Sequence, residues 1–437
     1  MSRILFQKLR SFQIFKTGKL YQKSRKITVN FSTRIIGNIV SRVLGIVTIP
    51  IIARALGPES YGEYNLVIVI LSYTVMVINF GFTVYGVRGT AQKHDSSNLV
   101  NQILTARLTL GLISIVISSF VILILYRQNL KFVLLVYLGY ILVAAQIFNI
   151  DYYFFGKGNM LIPILAQISG RVLFTIGVIA FIKKPRHLAL LVLLYSLYYL
   201  VSSGIGLLIY LRKNKISITI SLRKAVQTLK KTFLLGISAQ MEMFQISFPL
   251  IIISWLSGSY ALGIFSAAFK SFSIVLLVFQ AVMLALAPYL VKIGKLSKEY
   301  QYKYIYFLLS GMIIIGLIGA IFLYLTGEFV VNILFGKSFG DALPVYKLIC
   351  FILIPLTPIN MVLGSLLIYM NQEKKYIYST TAMAIITLVS TPLLVNLFLL
   401  RGAVIAISLS TFTSIAVSTY HINRVFPGLF LKKSKKI

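Results

Sequence analysis

Residues 34–64 read RIIGNIVSRVLGIVTIPIIARALGPESYGEY, long and apolar enough to cross a bilayer as a helix, yet with Arg34 and Arg42 in or at the edge of the span and Arg54 just beyond it. Arg34, Asn38, Ser41 with Arg42, Gly45 and Thr48 recur at three- and four-residue steps, which places them on one side of that helix. A charged side chain at mid-bilayer costs about 3 kcal/mol or more, so this stripe is expected to face a protein-lined, watery cavity and not lipid.

The rest of the 437-residue chain agrees with a membrane setting. It is 58% hydrophobic, with a mean hydropathy of +0.90, more apolar surface than a soluble protein of this length can hide. Loops between apolar runs are short and leave no room for a large soluble domain. The net charge of +34 would suggest nucleic acid in a soluble protein, but no nucleic-acid-binding pattern accompanies it. Its plainer causes are basic cytoplasmic loops and attraction to anionic membrane lipids. Cys350 is the single cysteine, which rules out an intrachain disulfide and a thiolate metal cluster. His94, His187 and His421 lie far apart in sequence, and no nucleophile elbow, phosphate-binding glycine loop, zinc motif or cofactor motif is present. The chain therefore reads as a non-enzyme.

Apolar runs predict about twelve transmembrane helices, near 33–54, 63–86, 99–126, 131–155, 161–182, 188–211, 233–256, 260–291, 304–326, 344–370, 376–399 and 402–423. Placing both termini in the cytoplasm puts 29 of the 43 Lys and Arg residues inside and nine outside, with Arg34, Arg42, Arg107, Arg171 and Lys270 within spans or at their entrances. The basic loop 212–232 divides the chain in the middle. The expected organisation is a basic cytoplasmic segment (1–30), an N-terminal six-helix lobe (31–211), a basic cytoplasmic linker (212–232), a C-terminal six-helix lobe (233–424) and a basic cytoplasmic tail (425–437). Two halves of equal helix count and parallel orientation fit an all-α transporter built from repeats, with its site between the lobes. The repeat is inferred from hydropathy, since the halves share no strong identity.

Other spans repeat the theme of the first. Gln167, Arg171 and Thr175 share a face of the fifth, and Ser238, Glu242 and Gln245 a face of the seventh. Arg107, Asp151 and Lys270 fall in the third, fourth and eighth. Arg34 and Asp151 are near enough to helix ends to snorkel. Arg42, Arg171, Glu242 and Lys270 stand roughly 14 Å deep at helical rise. For these a central cavity richer in cations than anions is favoured, while an Arg42–Glu242 salt bridge between lobes competes. A cationic cavity suits an anionic solute or head group, and arginine's planar fork suits phosphate oxygens. Glu242 and Asp151 are the carboxylates placed to bind a coupling ion or to hold neighbouring basic groups.

Ser41–Gly45 and Ile52–Gly62 (IARALGPESYG) resemble the opening of the Wzx-type polysaccharide flippases of the multidrug/oligosaccharidyl-lipid/polysaccharide exporter superfamily. Asn79-Phe80-Gly81-Phe82 with Arg88 and Ala91 is similar to the end of that family's second helix. Asp151-Tyr152-Tyr153-Phe154-Phe155-Gly156 with Met160, and Gly263–Ala268 with Lys270 and Pro288, resemble its fourth and eighth. The matches occur in order and span both halves. The resemblance implies a two-lobed, twelve-helix transporter working by alternating access on a polyprenyl-linked glycan. Polysaccharide polymerase and glycosyltransferases are the implied neighbours. Asn79 stands where the family often has Asp, and Thr48 where lipid II flippases carry a second arginine, which argues for a surface-glycan unit over lipid II.

The resulting expectation is a flippase of the cell membrane that carries a polyprenyl-(pyro)phosphate-linked oligosaccharide to the outer leaflet. Arg42, Arg171, Lys270, Arg107, Arg34 and Asn38 are its candidate cavity residues. A cation-coupled drug exporter of the same superfamily wants an anionic cavity for cationic drugs. A non-transporting scaffold of a glycan-assembly complex would leave the cavity arginines dispensable.

Overall fold

A computed structural model describes residues 2–92, 96–212, 214–217, 220–293 and 298–425. Within these, side chains are described from residue 37 onward, apart from residues 38, 234–235, 238–239, 284–285, 287–289 and 291–299. The side chains of segment 1–30, Arg34, Asn38, Ser238 and Pro288 therefore lie outside the described residues, as do His94 and the tail from 426 on.

The described chain is helical throughout: α1 (Ser2–Ile78), α2 (Phe82–Gln92), α3 (Ser97–Leu125), α4 (Leu130–Ile147), α5 (Asp151–Gly156), α6 (Leu161–Phe181), α7 (Leu188–Leu211), α8 (Leu222–Ile293), α9 (Lys298–Leu325), α10 (Gly327–Phe335), α11 (Ala342–Tyr369) and α12 (Glu373–Val425). Among the described residues nine helical stretches are long and apolar enough to cross a membrane. Three of these, of 54, 44 and 52 residues, are too long to cross once at 1.5 Å per residue through about 30 Å of hydrocarbon. Each contains one non-helical residue where the chain folds back: Gly57 in α1, Gly258 in α8 and Leu399 in α12. Six single and three doubled stretches make twelve crossings.

Gly57 (φ 70°, ψ 172°) and Gly258 (φ 84°, ψ 178°) occupy the same backbone region, one essentially closed to residues with a Cβ. Gly336 (φ 84°, ψ 176°), at the end of α10, adopts the same conformation. Gly57 and Gly258 are each followed at the same interval by a second glycine, Gly62 and Gly263, and these pack reciprocally. A Cβ on Gly62 would strike the Ser259 carbonyl oxygen, and one on Gly263 the Pro58 carbonyl oxygen. Ile264, Phe265, Ser266, Ala267 and Ala268, which follow, are all buried. Small residues there let the helices approach without a hydrophobic driving force between them.

α1 packs on α4 and α6, and α7 on α4 and α6. Further along, α11 packs on α8, α9 and α12, and α12 on α8. The two groups meet mainly where α1 runs against α8, with α2 and α3 adding contacts to α8. On the side of the Gly57 and Gly258 turns, Arg54 Nη2 donates to the carbonyls of Asn332 (3.1 Å) and Ile333 in the last turn of α10. A cation at a helix C-terminus meets both the free carbonyls and the negative end of the dipole. Tyr61 lies edge-on to Phe335 and Phe339 beside it. Buried hydroxyls within spans mostly bond back along their own helix, as Thr74 does to Ile70 O, Thr387 to Met383 O and Ser408 to Val404 O.

Two expected spans are interrupted. The second ends at Ile78, with α2 beginning after the turn at Gly81 (φ 69°), whose Cβ would meet the Thr232 carbonyl oxygen at 2.6 Å. The fourth ends at Ile147, with α5 as a separate six-residue helix.

Because the Gly62–Gly263 contact is with backbone, Gly62→Leu is expected to cost about 1–3 kcal/mol by overpacking. Purified Gly62→Leu should melt at a lower temperature than the parent. Gly311→Leu, whose added Cβ meets nothing within 4 Å, should melt with the parent.

Candidate functional site: a cationic cavity between α1, α6 and α8

Arg42, Arg171 and Lys270, expected to converge from three separate spans, do so. They line one cavity of about 260 Å³ between α1, α6, α7 and α8. Gly45 and Thr48 of the α1 stripe line it too. Val43 and Val47, on the other side of α1, are exposed where lipid would be.

Each cation is placed by local sequence. Gly45 is the point at which the Arg171 guanidinium reaches α1, since a Cβ there would fall on Arg171 Nη2. The guanidinium also lies over the rings of Phe174 (5.5 Å) and Tyr198 (5.3 Å), within range of a cation–π attraction. Its Nε is buried and has no hydrogen-bond partner among the described residues. Thr175, one turn on, donates to the Arg171 carbonyl (2.9 Å). Thr48 donates to the Gly45 carbonyl at 2.8 Å, so its hydroxyl is satisfied within α1. Pro50 has no N–H to bond the carbonyl of Ile46, another lining residue. Lys270 follows the buried run Leu262–Phe269 and is itself accessible, because it opens onto the cavity. Among the described residues, none of those lining the cavity is acidic. Arg171 and Lys270 repel each other across it.

The remaining lining is polar-aromatic: Tyr61, Tyr64, Asn65 and Tyr195. Tyr195 stacks edge-on with Tyr64 and Phe174 and sits 3.3 Å, hydroxyl to hydroxyl, from Tyr199. These tyrosines are not among the sequence-derived candidates. The signal was present in the run Tyr195-Ser196-Leu197-Tyr198-Tyr199, hydroxyl-bearing rings in an otherwise aliphatic span. Ile68 and Tyr195 are shared with a second cavity of about 440 Å³, lined also by Asn79, Gln146 and Gln240, which continues the first.

The other candidates lie elsewhere. Arg107, expected in the cavity, is outside it. It is 1% exposed and donates to the Asn149 carbonyl and to Thr83 Oγ1 (3.4 Å), with its guanidinium 5.2 Å from the Tyr152 ring. Asn149 Nδ2 donates to Asp151 Oδ2 (3.1 Å), and Asn149 Oδ1 accepts from the Asp151 N–H. Arg107 and Asp151 thus secure the α4–α5 break, and the hydrogen-bonding needs of that break's free backbone groups draw Arg107 away from the cavity. Glu242 lines a separate cavity of about 290 Å³ within the C-terminal helices, with Gln245, Asn360, Thr411 and Ser414. Tyr376 donates to Glu242 Oε1. Gln245 Nε2 donates to Ser410 Oγ and Thr411 Oγ1, each at 2.9 Å, tying α8 to α12. Arg42 and Glu242 line different cavities, and no salt bridge between them is present among the described residues. Nor do three or more metal-binding side chains cluster anywhere among those residues.

Residues 27–294, more than half the chain and including every wall of the cationic cavity, match the family described as polysaccharide biosynthesis protein. The chain belongs to this family. It is 24% identical over 407 residues to the capsular polysaccharide biosynthesis protein CapF of Staphylococcus aureus, covering 91% of this chain and 99% of that one. A protein of Escherichia coli (strain K12) provisionally named an O-antigen transporter is 25% identical over 234 residues, 52% of this chain and 55% of the other. The fold is shared with the lipid II flippase MurJ in an inward closed conformation (TM-score 0.70, 12% identity, covering 89% and 87% of the two chains). It is shared too with an inward-facing multidrug resistance MATE family transporter of the MOP superfamily (TM-score 0.67, 17% identity, 90% and 96%). The chain is thus a multi-pass helical membrane protein of the polysaccharide biosynthesis family, with a fold shared by these solved structures.

In a Cys350→Ser background, Arg42→Cys and Ser273→Cys are expected to react with a charged, water-soluble thiol reagent. Val43→Cys and Val47→Cys should not. Equal labelling of all four would contradict the cavity-facing stripe.

Proposed function

We propose that this protein flips a polyprenyl-(pyro)phosphate-linked oligosaccharide from the cytoplasmic to the outer leaflet of the cell membrane. The observation that carries the reading is the cavity in which Arg42, Arg171 and Lys270 meet with no acid among the described lining residues. Phosphate oxygens supply the counter-charge such a group lacks, and arginine binds them through a fork of donors. Tyr64, Tyr195 and Asn65 offer hydroxyl and amide groups to sugar hydroxyls, while the polyprenyl chain stays in the bilayer. A net cationic cavity disfavours the export of cationic drugs by like-charge repulsion.

Residues 31–211 and 233–424 act as lobes joined by the basic linker 212–232, both termini cytoplasmic, and alternating access is the rocking of one lobe against the other. The Arg54–α10 contact and the reciprocal glycines are the closure on the outer side. Export moves negative charge outward, which an inside-negative potential favours by about 2.3 kcal/mol per charge per 100 mV. Glu242, hydrogen-bonded by Tyr376 in its own polar cavity, is the group through which a proton or sodium gradient couples to that motion.

The test is transfer of a labelled polyprenyl-pyrophosphate sugar across vesicles holding the purified protein. Arg42→Ala, Arg171→Ala and Lys270→Ala should each slow it about tenfold or more, the worth of a charged hydrogen bond. An imposed ion gradient should accelerate the parent and leave Glu242→Gln unchanged. Absence of transfer, together with parent-like behaviour of all three alanine variants in cells, would overturn the reading.

A further inference from the structure

The largest of the described cavities faces the bilayer, not the lumen. It is a groove of about 770 Å³ between α9 and α11, against about 260 Å³ for the cationic cavity. On α11 it runs from Pro344 to Pro355, roughly 16 Å at helical rise, which is the hydrocarbon depth of one leaflet. Its walls are apolar and exposed: Leu325 is 76% and Phe351 74% accessible. At the deep end α9 and α11 come together, since a Cβ on Gly316 would meet Pro358 Cγ at 2.9 Å. The groove is therefore a slot with a floor.

Its other end is cationic. Lys347 and Arg401 both line the groove there, Lys347 with its Nζ 5.4 Å from the Tyr324 ring centroid. Among the described residues neither has a hydrogen-bond or ion-pair partner. None of the described lining residues is acidic. Of the two carboxylates nearest this end in sequence, Asp341 accepts from Tyr260 at 2.8 Å, and Glu328 stands in the first turn of α10 and does not line the groove. This end lies on the side of the Gly57 and Gly258 turns, because α10 and the Leu399 turn flank it. Tyrosine beside lysine at the end of an apolar wall is the composition of a membrane–water boundary.

From these features we propose that the α9–α11 groove is a binding site for an anionic glycerophospholipid of that leaflet. Its phosphate sits between Lys347 and Arg401, and an acyl chain fills the slot down to Gly316 and Pro358. The charge at the mouth selects anionic over zwitterionic head groups, and the slot depth holds one chain. The site is separate from the cationic cavity, and no part of it depends on what that cavity carries.

The experiment is native mass spectrometry of the full chain released from detergent with phosphatidylglycerol, phosphatidylcholine or a polyprenyl phosphate. The parent should retain one phosphatidylglycerol in preference to phosphatidylcholine. The double variant K347Q/R401Q should retain it on the order of tenfold less well. Lys337→Gln, on the same side but outside the groove, should behave as the parent. Ala320→Trp, which fills the slot and keeps both cations, should also lose the lipid, so the proposal stays testable if the double variant does not fold. Equal retention of the two phospholipids, unchanged retention in both groove variants, or preference for the polyprenyl phosphate would each overturn it.

Discussion

Three cations gathered from three spans around one open cavity, with no acid among the described residues lining it, set the terms for the rest of this structure. Arg171, the most enclosed of the three, would be cheaper in water, and Arg171 and Lys270 repel each other. The surrounding sequence eases that cost without neutralising it. Gly45 clears a place for the Arg171 guanidinium, the faces of Phe174 and Tyr198 cover it, and three spans keep the group away from hydrocarbon. A carboxylate among the three would neutralise part of this charge and, on the proposed function, weaken the cavity's attraction for an anion. The contrast with Arg107 is instructive. Also an arginine within a span, it is fully enclosed and donates through its terminal nitrogens to a backbone carbonyl and a threonine hydroxyl, though its Nε, like that of Arg171, has no partner among the described residues.

Closure on the turn side rests on backbone more than on side chains. Gly57 and Gly258 fold their helices back with the same dihedral signature, and Gly62 and Gly263 let the two turns interlock at carbonyl distance. Such a contact is two-state in character: it is fully made or, with any separation, lost. Arg54 adds a polar tie to α10 that is made of donor and acceptor alone and is easily exchanged for water. A seam that is tight yet held by few polar bonds can open at little polar cost, as the proposed function requires.

Much of this was legible in the sequence because the membrane makes charge conspicuous. Arg42, Arg171 and Lys270 stood out as costly residues deep in apolar spans, and they converge. The membrane-length spans followed from hydropathy. Other features were not legible because they depend on tertiary partners. Arg107 has the same linear signature as Arg171 but serves the α4–α5 break. Glu242 stands as deep as Arg42 yet belongs to a cavity of its own, where Tyr376 reaches it from another span. The lining tyrosines were hidden because aromatic residues are ordinary in membrane helices. The reciprocity of Gly62 and Gly263 required coordinates, since the halves share little identity.

The most direct test of the cavity's role is a high-resolution map of the protein bound to a polyprenyl-pyrophosphate sugar. Phosphate density within hydrogen-bonding distance of Arg42, Arg171 and Lys270 is the predicted result. Phosphate density outside this cluster, or a ligand-saturated protein with the cluster unoccupied, would contradict it.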